Sequence, residues 1–394
     1  MHRSGGARDV VAGDVTIGIV AGEASGDALA ALLIQAVRSR IPGTRFVGVA
    51  GPKMEEAGCE AWAPLETLSI RGFSEVIARV PGLWRLRRAL ARRMREAGVQ
   101  MFVGVDAPDF NLGLERMLKR RGIRTIHFVS PSVWAWRRER IATIARSANR
   151  LFALFPFEPL LYENAGLTVT YVGHPLAHNA ATADSRRSAR EQLKIPLAQP
   201  VFALLPGSRQ SELEAHSDLV LRTAAAIHAQ KPGAAFLVPL ATRATRDKFD
   251  ADRYQLEFDT LPMTLLYGHA RDALEAADVA IVASGTATLE AALARCPHVI
   301  FYRVQPLTEW YVRRKYLLPY VGLPNVLAGR FVVAEFLQDD ATVENLTQAA
   351  VNLYDDTVTR RRLEALFGAF AQALDVDTAA LASDAVVAEL VAPR

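Results

Sequence analysis

The chain is poor in cysteine. Cys59 and Cys296 are the two in 394 residues, far apart and without neighbouring ligand-type spacing. A disulfide framework or a zinc site is therefore unsupported, and a reducing compartment is favoured. Each thiol reads as a small buried apolar residue. No window approaches 18 uncharged apolar residues, which excludes a membrane-spanning helix. Residues 1–14 are small and polar, lack the apolar core of a secretory signal, and read as a frayed tail. Repeats and low-complexity segments are absent as well. The net charge is +4, modest for this length, so the distribution of charge matters more than its sum.

What is present suits a large α/β protein. At 51% hydrophobic and 22% charged, the chain can build compact cores and is not disordered. Its length is too great for one core, so two domains are expected. Runs that are apolar throughout, at 15–21, 46–50, 101–105, 125–129, 151–155 and 169–172, recur with helical segments between them. The second half repeats the pattern at 201–205, 235–239, 279–283 and 299–302. Runs without alternation fit parallel strands buried on both faces. The reading is two Rossmann-like domains, 15–178 and 201–338, joined by a polar linker at 179–200. Helices over 339–394 follow, expected to pack back on the first domain.

Positive charge concentrates in one segment. Between positions 71 and 95 stand eight arginines and one acid, Glu75. In a helix started by Pro81 and Gly82, Leu83, Leu86, Leu90 and Met94 form one stripe. Arg85, Arg88, Arg92 and Arg95 line the opposite face. Upstream lies an apolar stretch with Phe73, Val76, Ile77 and Val80. Two readings stand: an ordinary cover helix with a solvated charged face, or a surface that lies on an anionic membrane.

Four glycine- or acid-bearing turns occur where apolar runs end, the place where open α/β sheets bind ligands. The first, Gly22-Glu23-Ala24-Ser25-Gly26-Asp27, departs from the dinucleotide fingerprint because Glu23 stands where small residues meet a pyrophosphate. Glu23 could instead accept from sugar hydroxyls, and Ser25 or Asp27 should cap the helix that follows. In the second turn Asp106 follows its strand directly and should carry chemistry, with Asp109 as helix N-cap. Gly207-Ser208-Arg209 exposes backbone donors and a guanidinium fork suited to phosphate oxygens, ahead of an expected Ser211–Glu214 capping box. Ser284-Gly285-Thr286 opens another helix, with Glu290 placed to hold a ribose. Two phosphate-type turns and a ribose-type acid in one domain point to a nucleoside diphosphate.

Residues 20–27, 46–54, 103–111, 173–175, 204–209, 283–290 and 323–330 resemble the lipid-A-disaccharide synthases. So does Ser-Pro-Ser-Val-Trp-Ala-Trp-Arg at 130–137. The likeness runs from about 15 to 338; residues 1–14 have no place in the pattern, and Ala334 stands where a proline is usual. The last 55 or so residues match in helical character only. The resemblance implies the GT-B architecture, two Rossmann-like domains with a cleft between them, and no metal or cofactor. It implies transfer from UDP-2,3-diacylglucosamine to 2,3-diacylglucosamine 1-phosphate (lipid X), giving a β-1,6 disaccharide and UDP with inversion, at the cytoplasmic face of the inner membrane of Gram-negative bacteria.

On that basis Asp106 is the general base, and Gly207, Ser208, Arg209, Ser284, Gly285, Thr286, Glu290 and Asn325 hold UDP. Gly22, Glu23 and Ser25 face the acceptor or the donor sugar. The membrane reading of 70–95 is then preferred, with Phe73, Val76, Ile77, Val80, Trp84, Arg85, Arg88 and Arg92 in contact. A second candidate surface is 310–319, where Arg313, Arg314 and Lys315 stand beside Trp310 and Tyr311. His174 reads either as an acid or phosphate ligand or as a hinge residue, and Trp134 and Trp136 as cleft walls or packing. The alternatives are another GT-B enzyme using UDP-GlcNAc, an epimerase, and a non-catalytic lipid-binding protein. Nucleic acid is not an expected partner, and the oligomeric state stays open.

Overall fold

The computed structural model describes residues 15–68, 73–135, 137–182, 184–304 and 317–392, side chains of 73–80 excepted. The chain divides into two compact units. One is Met1–Pro175 with Leu374–Arg394, the other Leu176–Ala373.

In the first unit the order is β1 (Thr16–Ala21), α1 (Ala24–Arg40), β2 (Arg45–Ala50), α2 (Pro52–Glu56), β3 (Cys59–Pro64), α3 (Phe73–Glu96) and β4 (Met101–Val105). Then come α4 (Pro108–Lys119), β5 (Arg124–Phe128), α5 (Arg140–Ser147), β6 (Arg150–Ala153), α6 (Glu158–Leu161) and β7 (Thr168–Tyr171). The strands form one seven-stranded sheet, β3-β2-β1-β4-β5-β6-β7, parallel at every pairing. Central β1 and β4 are buried at every residue, which is why their sequences are apolar without alternation.

The helix α3 corrects one expectation: it begins at Phe73, not at Pro81, which lies inside it. A proline removes one backbone bond and bends a helix. Downstream, Leu90, Ala91 and Met94 are buried and Leu83 and Leu86 pack against them. Full burial of each large side chain is worth about 1.5–3 kcal/mol, together enough to offset the ~3 kcal/mol that an interior proline costs.

The second unit runs α7 (Ser185–Gln192), β8 (Val201–Leu205), α8 (Gln210–Gln230), β9 (Ala235–Leu240), α9 (Arg243–Gln255), β10 (Met263–Tyr267), α10 (Ala270–Ala276) and β11 (Val279–Ala283). It continues with α11 (Thr286–Leu293), β12 (His298–Tyr302), α12 (Leu323–Ala328), β13 (Glu335–Leu337), α13 (Val343–Asp355) and α14 (Thr357–Leu374). Its sheet is six-stranded, β10-β9-β8-β11-β12-β13, again parallel at every pairing. The expected doubly wound α/β architecture is present in both units.

Two domain expectations need correction. Residues 179–200 are not a free linker but part of the second unit, which starts at Leu176. The reason is Arg190 on α7, 1% exposed. It donates to the carbonyls of Ala276, Pro196, Leu197 and Gln199 and to Asp278 Oδ2 at 2.7–3.2 Å. Nor do all the C-terminal helices return to the first unit. Buried residues of α13, Leu346, Ala350 and Val351, join the main core of the second unit. Leu363 and Phe367 of α14 pack with Ala292, Ile300 and Val333 there. Only the chain from Leu374, with α15 (Thr378–Val391), belongs to the first unit. There Arg40 pairs with Asp384, and Arg150 Nε with Glu389 at 3.0 Å. The stretch Thr357–Val391 contains an 18-residue window of mean hydropathy 1.2, long and apolar enough to cross a membrane by length and composition. It folds as α14 and α15, each burying its apolar face in a different unit.

Candidate active site

In the first sheet β1 and β4 are neighbours, and the chain moves from them in opposite directions, to β2 and β3 or to β5, β6 and β7. This is a topological switch point, the place outside which open α/β sheets bind ligands. Both acid-bearing turns of this unit fall there. Glu23 and Ser25 are exposed, and Asp106 is half-buried. Gly22 explains how the two turns come together: a Cβ on it would collide with the Ala107 Cβ. The backbone of the second turn is strained. Asp106 has φ 53° and Ala107 φ 43°, two successive left-handed non-glycine residues, at about 1–3 kcal/mol each. The Asp106 N–H donates to Phe128 O at 2.8 Å.

The neighbouring aspartates behave differently from expectation. Asp109 is not the N-cap of α4; that position is Ala107. Asp109 lies in the first turn, pairs with Arg140 Nη2 at 2.5 Å, and its carbonyl accepts from Arg87 Nη2. An acid there still opposes the helix dipole favourably. Neither Ser25 nor Asp27 caps α1, whose N-cap Glu23 makes no side-chain cap bond. The Asp27 carboxylate instead caps α2, accepting from Gly51, Lys53 and Met54 N–H at 3.0–3.1 Å. Sequence distance concealed that partner.

Further groups surround these strand ends. His127 Nδ1 and Glu115 Oε1 lie 2.6 Å apart, both fully buried, and burial pushes the Glu115 carboxyl upward. Glu158 is buried, accepts from Leu154 and Phe155 N–H at 3.0 Å, and has its pKa raised to about 7 by desolvation. Ser130 and Trp134 also hydrogen-bond it. That ties the 130–137 segment to the end of β6. The Trp134 ring meets Phe157 edge-on at 6.0 Å, while Trp136 lies outside the described residues. His174 is held neutral by burial, its pKa lowered to about 4, and its N–H donates to Leu374 O at 3.1 Å. That favours the structural reading of this residue.

In the second sheet β8 and β11 form the corresponding switch point. The turn after β8 carries Gly207, Ser208 and Arg209; the turn after β11 carries Ser284, Gly285 and Thr286. Gly207 has φ 129°, and a Cβ there would lie 2.6 Å from the Glu212 Cβ. Glu212, not anticipated from sequence, is the organiser. Its Oε2 accepts from Ser208 N–H at 2.8 Å and Arg209 N–H at 3.2 Å, and its Oε1 from Tyr302 at 3.3 Å. Glu212 therefore replaces the expected Ser211–Glu214 box. It also occupies the backbone donors expected to meet phosphate, while the Arg209 guanidinium, whose side chain is 67% exposed, has Nη1 4.0 Å from Glu212 Oε1. His216, buried beneath, has Nδ1 2.7 Å from Pro206 O and Nε2 3.1 Å from both the backbone nitrogen and the carbonyl oxygen of Arg303, which ties the turn to the end of β12.

Glu290 lies on α11, and desolvation raises its carboxyl. Its carboxyl makes no hydrogen bond or ion pair among the described residues, while its backbone carbonyl accepts from Ala294 N–H at 2.8 Å. Asn325 is a correction. It is 0% exposed, with Nδ2 donating to Val333 O and Glu335 Oε1 and Oδ1 accepting from Val332 and Val333 N–H at 2.6–2.9 Å. Every polar capacity of that amide is used in holding 332–335, so its side chain has none to offer a ligand.

On α3, Arg85, Arg88 and Arg92 are exposed, as is Trp84 at 48%. The Arg88 guanidinium stacks 3.3 Å over the Trp84 ring. The side chains of Phe73, Val76, Ile77 and Val80 lie outside the described residues, as do residues 305–316. Among the described residues, no group of three or more His, Cys, Asp or Glu is arranged to hold a metal ion.

The family model described as lipid-A-disaccharide synthetase matches residues 17–386. The lipid-A-disaccharide synthase of Dechloromonas aromatica is 50% identical over 95% of this chain and 98% of its own length. That of Chromobacterium violaceum is also 50% identical, over 95% and 97%. Among solved structures, the UDP-GlcNAc 2-epimerase of Neisseria meningitidis aligns with TM-score 0.58 and 12% identity, covering 96% of this chain and 99% of that one. Acinetobacter baumannii MurG aligns with TM-score 0.56 and 17% identity over 95% and 98%. These two establish the fold alone. By family model and by sequence identity along nearly its whole length, the chain belongs to the lipid-A-disaccharide synthase family.

Proposed function

We propose that the chain transfers 2,3-diacylglucosamine from its UDP derivative to the 6-hydroxyl of 2,3-diacylglucosamine 1-phosphate. The observation that carries this reading is the placement of both pairs of turns at the two sheets' switch points. The acceptor oxygen attacks the anomeric carbon, the bond from that carbon to the diphosphate breaks, and UDP leaves with the electron pair. Asp106 takes the hydroxyl proton as general base. One displacement inverts the anomeric centre.

The second unit holds the donor. The Arg209 guanidinium meets the charge that develops on the departing diphosphate. Ser284 and Thr286, at the start of α11, face the same anion. Glu290, a desolvated carboxylate without a partner among the described residues, accepts from the ribose hydroxyls. Gly22, Glu23 and Ser25 line the sugar side next to Asp106.

The acyl chains of both substrates belong to a leaflet, which supports a peripheral association. Arg85, Arg88 and Arg92 stand exposed on α3 while its apolar stripe faces inward, and each arginine near an anionic surface contributes about 1 kcal/mol. The enzyme then works at the cytoplasmic face of the inner membrane.

The test is reconstitution with both purified lipid substrates. Disaccharide 1-phosphate and UDP should form in equal amounts, and non-acylated sugars should give no product. Asp106→Asn should lower turnover by about 10²–10⁴-fold with UDP binding intact. Absence of disaccharide from the unaltered enzyme, or near-normal turnover by the variant, overturns the assignment.

A further inference from the structure

Asn111 is fully buried in the first turns of α4, beneath the strained Asp106 turn. Its Nδ2 lies 2.8 Å from Asp106 O, 3.2 Å from Val20 O and 3.3 Å from Val105 O. Three carbonyls facing one amide group require that the NH₂ end point at them, which fixes the amide orientation. The three acceptors belong to the ends of β1 and β4, the strands flanking the switch point, and to Asp106 itself.

The result is a clamp on both sides of one residue. The Asp106 N–H is held by Phe128 O on β5 at 2.8 Å, and its carbonyl is held by Asn111. Two consecutive left-handed non-glycine residues persist only where their surroundings over-determine them. With both peptide groups tied, the direction of the Asp106 Cα–Cβ bond is set and only the side-chain torsions stay free. Asn111 itself is too deep to meet a substrate. Resting on the assignment of Asp106 as base, we infer that Asn111 is a positioning residue that aims the Asp106 carboxylate through its carbonyl.

A merely structural asparagine would lower stability and leave the chemistry of the folded fraction unchanged. A positioning residue changes kcat, because a displacement of about 1 Å can cost 10²-fold in rate. Asn111→Ala and Asn111→Ser should therefore bind UDP as the unaltered enzyme does. Each should keep its donor KM within about twofold and lose kcat, roughly 10²-fold for Ala and less for Ser, which retains one hydroxyl donor. Combined with Asp106→Asn and followed over hours with radiolabelled donor, Asn111→Ala should cause no further loss, because groups acting as a unit are non-additive.

Unchanged kcat in both single variants overturns the inference, as does a double variant slower than Asp106→Asn by the full Asn111→Ala factor. If Asn111→Ala does not fold, Asn111→Ser carries the test. If neither folds, the residue secures the domain rather than the turn, and the inference falls. Near-normal turnover of Asp106→Asn alone would instead remove the base assignment, a separate failure.

Discussion

Gly22→Ala is a sharp test of how the two turns of the first unit depend on one another. The added Cβ would sit well over 1 Å inside the ~3.5–4.0 Å separation that carbon atoms prefer, with Ala107 Cβ as the obstacle. Overpacking of this kind costs about 1–3 kcal/mol. Ala107 follows Asp106 in a turn that already carries left-handed strain, so the turn should yield and take the carboxylate with it. A shift of about 1 Å predicts a rate loss of around 10²-fold. The next atom that the new Cβ meets is Ala107 Cα at 3.6 Å, an ordinary contact. Removing the obstructing methyl should therefore restore both stability and turnover. Ala107→Gly alone should be nearly neutral in stability, since relief of left-handed strain offsets the added freedom of the unfolded chain. Urea unfolding and steady-state turnover of the two single variants and the double variant supply the measurement. Wild-type turnover in Gly22→Ala, or a double variant no better than Gly22→Ala, refutes the reasoning.

Other outcomes follow from the same geometry. Arg209→Ala should chiefly weaken donor use, seen as a raised donor KM and weaker UDP binding by calorimetry; an unchanged donor response contradicts its role. Replacing Arg88, Arg92 and Arg95 with Ser should reduce binding to vesicles rich in anionic phospholipid by roughly 10²-fold at low salt; sedimentation showing no change would leave α3 an ordinary cover helix. His298, 1% exposed, has its pKa lowered from 6.5 to about 4 by burial. Its contribution to stability is present above pH 6.5 and is lost as pH falls toward 4. The stability gap between the native protein and His298→Gln should shrink by about 2 kcal/mol between pH 7 and pH 5. A gap that does not move with pH would show that the ring is not held neutral.

Much of the site was legible because its turns are marked by residue types that apolar strands do not tolerate. Glycine and carboxylate at 22–23, Asp106 after Val105, and glycine at 207 and 285 break runs that are otherwise apolar. The strands left unread, β3, β10 and β13, all lie at sheet edges, where half-exposure dilutes the apolar signal. Asp27, Glu212 and Asn325 were unreadable for another reason. Each carboxylate or amide had several plausible partners in the chain, and only folding selects one. The same limit hid the destination of α13 and α14, whose amphipathic patterns fit any apolar surface.

Local composition was thus sufficient to establish parallel α/β order, the positions of the turns and the kinds of group they present, because those follow from strand burial and backbone sterics. Tertiary structure alone decided which polar atom satisfies which buried donor, and how Asp106 is clamped. Hydrogen bonds are short and directional, so their pairing depends on distances that no one-dimensional spacing encodes.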